Sequence, residues 1–359
     1  GCVVQAENEQ IAKRAPYVNF ATGPLTYYRI PEILQRIAND KKICLIDTDF
    51  PAESKFDHLP QNHASGACSY LAVQEGCNNF CTYCIVPYTR GVETSRPVES
   101  VLTEARQLVA SGTLEINLLG QNVNSYHGED ASGKERSLAY LLNKLAEIDG
   151  LERLRYTTSY PADVTDELIA CHKNLSKLMP YLHLPLQSGS DKILKAMNRR
   201  HTSGQYLEII EKLKTANPAL GFSSDFIVGF PGETDEDFAA TLDMVDKVGY
   251  IQAFSFKYSR RAGTPAAVFS NQVDEKVKKE RLDILQEKLF SRQLNFNKGC
   301  VGKIMPVLFE SKGRKSGEIF GRTPYMQTVV VQGCSDDLNK IKNVEITDGG
   351  MNALSGKIK

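Results

Sequence analysis

The chain has 359 residues, which at roughly 100–200 residues per domain gives two or three domains and excludes a lone binding module. Apolar residues make up 42% and charged residues 24%, with 26 Gly and 15 Pro, so disorder, collagen and coiled coil are excluded as well. Lys+Arg and Asp+Glu both number 43, so a nucleic-acid partner must be held by a local basic patch because there is no global field.

Residues 17–23 read as a strand and 30–39 as a helix, an α/β piece too small to close a domain. Gly1 is not a start methionine, so the native start is expected upstream. Residues 51–66 carry Pro51, Asp57, Pro60, Asn62 and Gly66, a linker composition. From there on, β-rich runs at 70–76, 115–120, 153–159, 181–186, 221–229 and 253–259 alternate with amphipathic stretches at 98–111, 138–148, 164–172, 204–216 and 236–248. Asp235 is expected to cap the last of these. Strand followed by helix, six times, implies a parallel sheet. Six units fall short of the eight of a complete barrel, which points to an open, partial (β/α)6 barrel with its chemistry at the C-terminal strand ends.

A charged helix over 274–297 is followed by short strands at 303–310, 318–323, 328–332 and 343–347, separated by Gly-rich turns. That pattern predicts a small all-β barrel. Residues 297–359 hold ten Lys/Arg against six Asp/Glu, with Lys312, Arg314 and Lys315 bunched in one turn. No apolar run reaches the roughly 18 residues of a membrane span, so no membrane partner is expected.

Nine cysteines are an odd number in a chain too long to need disulfide stapling, which indicates a reducing, cytoplasmic compartment. Cys77, Cys81 and Cys84 crowd into eight residues. Their spacing of three then two residues lets one loop place three thiolates on three irons of a cubane cluster, leaving the fourth iron open to a chelating substrate. The competing reading is zinc, which normally takes four closed ligands in paired C-x₂₋₄-C form; no second pair exists here. The six histidines show no ligand spacing, and His183, in an apolar strand, reads as a core residue. Cys44, Cys68, Cys171, Cys300 and Cys334 read as structural or incidental thiols.

With Tyr83 before the last cysteine, the cluster resembles the signature of the radical S-adenosylmethionine superfamily, whose partial (β/α)6 barrel agrees with the independent strand count. The segments Cys84-Ile85-Val86-Pro87-Tyr88-Thr89-Arg90-Gly91, Gly120-Gln121-Asn122-Val123-Asn124-Ser125-Tyr126, Thr157-Thr158-Ser159-Tyr160-Pro161, His183-Leu184-Pro185-Leu186-Gln187-Ser188-Gly189-Ser190 and 224–234 resemble the methylthiotransferases within it. The wording at 86–91 and 120–126 is similar to that of the bacterial branch that modifies N6-isopentenyladenosine beside the tRNA anticodon. Relatives acting on a ribosomal protein or on threonylcarbamoyl-adenosine differ there.

The resemblance divides the chain into a remnant of an N-terminal methylthiotransferase domain with linker at 1–62, a radical barrel at 63–296 and a TRAM RNA-binding barrel at 297–359. It implies two [4Fe-4S] clusters and S-adenosylmethionine. Cys77, Cys81 and Cys84 would hold one cluster. Cys2, in Gly1-Cys2-Val3-Val4-Gln5, would be one ligand of an auxiliary cluster whose partner cysteines are expected upstream. Contacts to S-adenosylmethionine are expected from Tyr83, Gln121, Asn122, Gln187, Ser188, Asp225, Gly229, Glu233 and Arg261, the last preferred over Arg260 because Ala262-Gly263-Thr264-Pro265 anchors the register. Lys312, Arg314, Lys315 and Arg322 are the expected RNA contacts, Arg322 lying in the Gly321-Arg322-Thr323 run of a central strand.

As the resemblance implies it, the reduced cluster cleaves S-adenosylmethionine to a 5′-deoxyadenosyl radical that removes hydrogen from C2 of the adenine. That position has no acidic proton, which fits the lack of an acid–base dyad in the sequence. A methylated sulfur from the auxiliary cluster then bonds to C2. An electron donor such as a flavodoxin, a sulfur or cluster carrier, and the tRNA anticodon stem-loop are the partners implied. Two alternatives stay open at this point: methylthiolation of an aspartate in a ribosomal protein, and a non-catalytic RNA-binding protein with a structural metal in the cysteine loop.

Overall fold

The computed structural model describes residues 1–39, 44–51, 56 and 66–359. Most of the stretch expected as a linker therefore lies outside the described residues. The first segment opens with two short helices, Cys2–Glu7 and Gln10–Arg14, that the sequence pattern did not indicate. Strand Phe20–Thr22 then pairs in parallel with Leu45–Asp47, and helix Ile30–Asn39 lies between them in the chain.

Six strands follow in chain order: Cys68–Ala72, Glu115–Leu119, Arg153–Tyr156, Tyr181–His183, Gly221–Val228 and Gln252–Lys257. The first three form one parallel sheet and the last three another. A parallel bridge from Leu154 to Leu178 carries the pleat across the seam. Among the described residues no ladder joins the first strand to the last, so this is a partial (β/α)6 barrel, open along one side.

Alternation along the strands separates a packed outer face from a wetter lumen. In Gly221–Val228, Phe226 and Val228 are buried while Asp225 and Ile227 are only half-buried. Helices cover the outer face through Leu102, Leu141, Leu142, Leu145, Ile210 and Leu213, all at or near zero exposure. Thr234 caps helix Asp235–Val248, not Asp235 as expected: Thr234 and Asp237 form a reciprocal capping box, in which the side chain three positions on accepts from the cap backbone. Helix Asp191–Ala196 and the hairpin His127–Glu129 with Glu135–Ser137 are additions to the sequence expectation.

The long helix Glu275–Lys298, capped by Asp274, leads into a closed barrel of five strands. Four match the expected runs, as Ile304–Lys312, Glu318–Arg322, Thr328–Gln332 and Ile341–Gly349, and the fifth, Leu354–Ile358, was not expected. It closes the barrel by pairing parallel to Thr328–Gln332 and antiparallel to Ile341–Gly349. Two buried arginines of the third strand dock this barrel onto the larger one. Arg153 donates to the carbonyls of Arg322 and Pro306 at 3.1 and 2.8 Å, and Arg155 to those of Pro324 and Thr323 at 2.7 and 3.0 Å. Glu115 lies between them, 2.9 Å from Arg155 Nε and 3.6 Å from Arg153 Nη1.

Candidate cluster and cofactor site

Cys77, Cys81 and Cys84 lie on one loop between strand Gln74–Glu75 and helix Val86–Arg90. The turn into the loop requires glycine. At Gly76, φ is +76° and a Cβ would sit 2.0 Å from the Val92 carbonyl oxygen. Backbone bonds then fix the loop: Cys77 N to Gly91 O at 3.3 Å, Thr82 N to Met197 O at 3.0 Å, Cys84 N to Cys81 O at 2.9 Å and Ala266 N to Thr82 O at 2.9 Å. Phe80 has a left-handed φ of +47°, and Asn198 Nδ2 holds it there by donating to the carbonyls of Asn79 and Phe80 at 3.2 and 3.0 Å.

The donor set suits a cubane cluster. Asn79 Nδ2 lies 3.5 Å from Cys77 Sγ, and Arg199 Nη1 lies 3.9 Å from Cys81 Sγ, so two of the three sulfurs have a hydrogen-bond donor beside them. Burial opposes ionisation, raising the Cys77 thiol and pushing that of Cys84 up to about 11. Bound iron would supply the charge needed to deprotonate such thiols. Among the described residues no group of three or more His, Cys, Asp or Glu side chains is arranged to hold a single ion. Three thiolates on three separate irons need no such convergence.

Beside the loop opens a cavity of about 1080 Å³, lined by Tyr83, Gln187, Asp225, Tyr258, Arg261 and Gln272 among others. Three of these carry buried polar atoms with no described partner: Gln187 Oε1, Tyr258 Oη and Gln272 Oε1. Gln187 is held at φ +77°, with its backbone N–H on Asp225 O at 2.9 Å and its carbonyl accepting from Ile227 N at 3.0 Å. Arg260, Lys257 and Lys278 add cationic groups to the walls, and Asp225, Asp274 and Glu275 anionic ones. A zwitterionic, cationic ligand with a polar heterocycle finds an acid, a base and unpartnered acceptors in this one space.

Four residues predicted to contact the cofactor therefore line the cavity: Tyr83, Gln187, Asp225 and Arg261. Five others are placed elsewhere. Glu233 is buried and ties its own turn together, accepting from Gly229 N at 2.8 Å and from Arg281 Nη1 at 2.7 Å. Gly229 is thereby occupied too, and a Cβ on it would meet Lys278 Cγ at 2.2 Å. Gln121 Oε1 accepts from Gly76 N at 2.8 Å, which steadies the start of the cluster loop. Asn122 Nδ2 donates to Asp163 Oδ2 at 2.8 Å. Ser188 is fully buried against Thr241 and Ser190. The polar atoms of these five mostly support the framework around the cavity.

Sequence reasoning missed Tyr258, Gln272 and Lys278, which lie outside the motifs. It also read His183 as core, whereas the ring borders the lumen, with Nδ1 2.6 Å from Ser223 Oγ and Nε2 3.6 Å from Asp225 Oδ2. The period of two that puts Tyr181 and His183 on one strand face was the available signal. Cys2 stands at the start of its helix, where Sγ accepts from Arg90 Nε at 3.3 Å. Lys312, Arg314 and Lys315 are exposed on the terminal barrel, whereas Arg322 is turned inward, 3.4 Å from Glu310 Oε1 and donating to Met326 O at 3.3 Å. Arg322 is thus part of the seam between the barrels, because the strand that carries it is the one that docks on Arg153 and Arg155.

Residues 71–245 match the model of the Radical SAM superfamily and residues 298–359 that of the TRAM domain. Among curated proteins, the tRNA-2-methylthio-N(6)-dimethylallyladenosine synthase of Rickettsia canadensis is 55% identical over the whole chain and 80% of its own length. The proteins of the same name from Rickettsia felis and Rickettsia bellii are each 54% identical, with 81% and 80% of their lengths covered. A solved radical S-adenosylmethionine methyltransferase from Kitasatospora setae is far more distant, at 15% identity and a TM-score of 0.46 over 60% of this chain and 40% of its own. On the sequence relationship, this chain belongs to the tRNA-2-methylthio-N(6)-dimethylallyladenosine synthase family of radical S-adenosylmethionine enzymes.

Proposed function

We propose that this chain methylthiolates C2 of N6-dimethylallyladenosine beside a tRNA anticodon, using a [4Fe-4S] cluster on Cys77, Cys81 and Cys84 and S-adenosylmethionine in the adjoining cavity. The observation that carries this is the placement of Tyr83. It lies between two of the three cysteines in the chain, and it lines the cavity of unpartnered acceptors. When bound, the cluster supplies the single electron that cleaves S-adenosylmethionine.

The chain's own residues hold and orient the cofactor. Gln187 Oε1 and the Asp225 carboxylate face the cavity as acceptors for an amino group, and Arg261 as a cation for a carboxylate. Gln121, Asn122, Ser188, Gly229 and Glu233 support the reading as the framework that fixes those groups. Cys2 is proposed as one ligand of a second [4Fe-4S] cluster, with its other thiolates from outside residues 1–359. Lys312, Arg314 and Lys315 are proposed to contact the anticodon stem-loop, with Arg322 bracing the barrel that carries them. The chain divides in this reading into 1–62, 63–296 and 297–359. A flavodoxin-like electron donor, a sulfur or cluster carrier and a cytoplasmic location complete it; among the described residues no helix is long and apolar enough to cross a membrane.

The test is anaerobic reconstitution with iron and sulfide, followed by reduction with S-adenosylmethionine present. The intact chain should yield 5′-deoxyadenosine, and Cys81→Ala should yield none, since two thiolates leave a second iron without a ligand. 5′-Deoxyadenosine from Cys81→Ala would refute the site. Full-length enzyme offered both an anticodon stem-loop and a ribosomal protein should add mass to the RNA alone; methylthio-aspartate in the protein would favour the alternative substrate.

A further inference from the structure

Within the lumen a second cavity, of about 250 Å³, lies beside the cofactor cavity. Asp225 lines the first and His183 the second, 3.6 Å apart, so the two spaces share a wall. Leu119 and Phe254 from the large barrel, and Met326 from the terminal one, give it apolar sides. Met326 is held at a left-handed φ of +66°, a conformation that a long side chain adopts only when its surroundings impose it.

The rest of the lining is polar, with Arg155, Thr157, His183, Gln252 and Arg322 beside Asn117, and Asn117 is set apart by its unmet acceptor. It is 7% exposed, borders the cavity, and no described group donates to its Oδ1. Buried amide oxygens are nearly always hydrogen-bonded, and an orphan calls for a missing donor. A ligand with an N–H at its edge would satisfy Asn117 Oδ1, and an apolar branch on it would find Leu119, Phe254 and Met326.

We propose that this second cavity seats the N6 edge of the target adenine, with Asn117 Oδ1 accepting the N6–H and Leu119, Phe254 and Met326 packing around the dimethylallyl branch. The inference rests on the function proposed above and names the residues that read its substrate. An asparagine amide matches the N6/N7 edge of adenine in donor and acceptor. C2 lies across the ring from that edge, so an adenine anchored on Asn117 turns C2 away from it. The wall shared by Asp225 and His183 is then where C2 can meet the cofactor. Because Met326 belongs to the terminal barrel, that barrel contributes to substrate choice as well as to RNA affinity.

The experiment measures binding by the cluster-loaded full chain, under anaerobic conditions, to three anticodon stem-loops of one sequence. The target base is adenosine, N6-dimethylallyladenosine, or its N6-methyl derivative, which keeps the branch and lacks the N–H. The intact chain should prefer the dimethylallyl RNA by at least about tenfold over each of the others, as apolar pockets and buried acceptors discriminate. Phe254→Ala should abolish the preference over adenosine; Phe254 is half-exposed on the lumen, so its truncation opens no hole in the core. Asn117→Leu should abolish the preference over the N6-methyl derivative, and Asn117→Asp, which still accepts, should keep it. Retained discrimination in both Phe254→Ala and Asn117→Leu would overturn the proposal. Equal binding of all three RNAs by the intact chain would overturn it alone, whereas binding of none would overturn the tRNA reading beneath it.

Discussion

Arg90 bridges two parts of the chain: its Nε donates to Cys2 Sγ at 3.3 Å, and its Nη1 pairs with Glu75 Oε1 at 2.7 Å. The carbonyl of the next residue, Gly91, accepts from Cys77 N. One short helix, Val86–Arg90, thus supports the first thiol of the radical loop and faces Cys2 from the segment before it. A sulfur donor held at Cys2 would stand directly against the platform that carries the radical site.

Removing that guanidinium takes away the Arg90 contact of Glu75, which is buried at 5% exposure. Arg90 is partly exposed and the pair is partly screened by solvent, so Arg90→Ala should lower the urea midpoint by about 1 kcal/mol's worth of stability, and Arg90→Ala combined with Glu75→Gln should recover part of the loss. If Arg90→Ala unfolds at the wild-type midpoint, the bridge contributes nothing to the platform.

The same logic applies where the two barrels meet. Arg155 satisfies Pro324 O, Thr323 O and Glu115 at once. Arg155→Met should destabilise by about 3 kcal/mol, because the buried Glu115 carboxylate then keeps only the 3.6 Å contact to Arg153 and the weak 3.8 Å one from Cys68 Sγ. It should also loosen the terminal barrel, seen as faster amide exchange in 304–312 and 318–322. Unchanged exchange there would show that the arginine clamp does not hold the barrels together.

How much of this was legible in the sequence follows from local patterns. The cysteine loop is contiguous, so its spacing could be read directly, and helix Ile30–Asn39 and strand Thr328–Gln332 carry unmixed periodicity. Strand Leu354–Ile358 escaped notice because Ser355, Gly356 and Lys357 separate its two apolar residues, and only its partners on both sides make it a strand. Helix Asp191–Ala196 is six residues long, too short for a helical period to emerge. At the site, Gln187 was expected from a strand end and Asp225 from within a strand, and both line the cavity. Gln272 and Lys278 reach the same cavity from the entry to a distant helix, and Asn117 is marked only by its missing partner in three dimensions.

Acid sensitivity should come from His172. The ring is buried, Tyr156 donates to its Nε2 at 2.6 Å, and burial pulls its pKa down to about 4. A depressed folded value favours the neutral ring, so the stabilisation is complete above the unfolded value near 6.5 and is lost as pH falls toward 4. His201, pulled down to about 3 by burial and by Arg199, adds in the same direction. Stability should drop by about 2 kcal/mol per histidine between pH 6.5 and 5. His172→Gln, which keeps an acceptor for Tyr156, should show a shallower fall in Tm over that range. Parallel Tm curves for the two proteins would remove His172 as a cause.

Affinity for RNA should depend on salt through one turn. Lys312, Arg314 and Lys315 are exposed together at the edge of the terminal barrel, on a chain whose charges balance overall at 43 against 43. Each cation that contacts a phosphate releases a counterion on binding, so each contact adds a little under one to the slope of log affinity against log salt. Replacing all three by alanine should therefore lower that slope by roughly 2 to 3 and weaken binding most at low salt. Arg322 offers a comparison within the same barrel, since its guanidinium is engaged by Glu310 and the Met326 carbonyl. Arg322→Ala should leave the slope within about half a unit of wild type and instead lower the melting temperature, because it loosens the seam between the barrels. Titrations of an anticodon stem-loop at four or five salt concentrations separate the two effects. A triple variant with the wild-type slope would move the RNA-facing surface away from this turn, and a large slope change in Arg322→Ala would place that arginine on the phosphates after all.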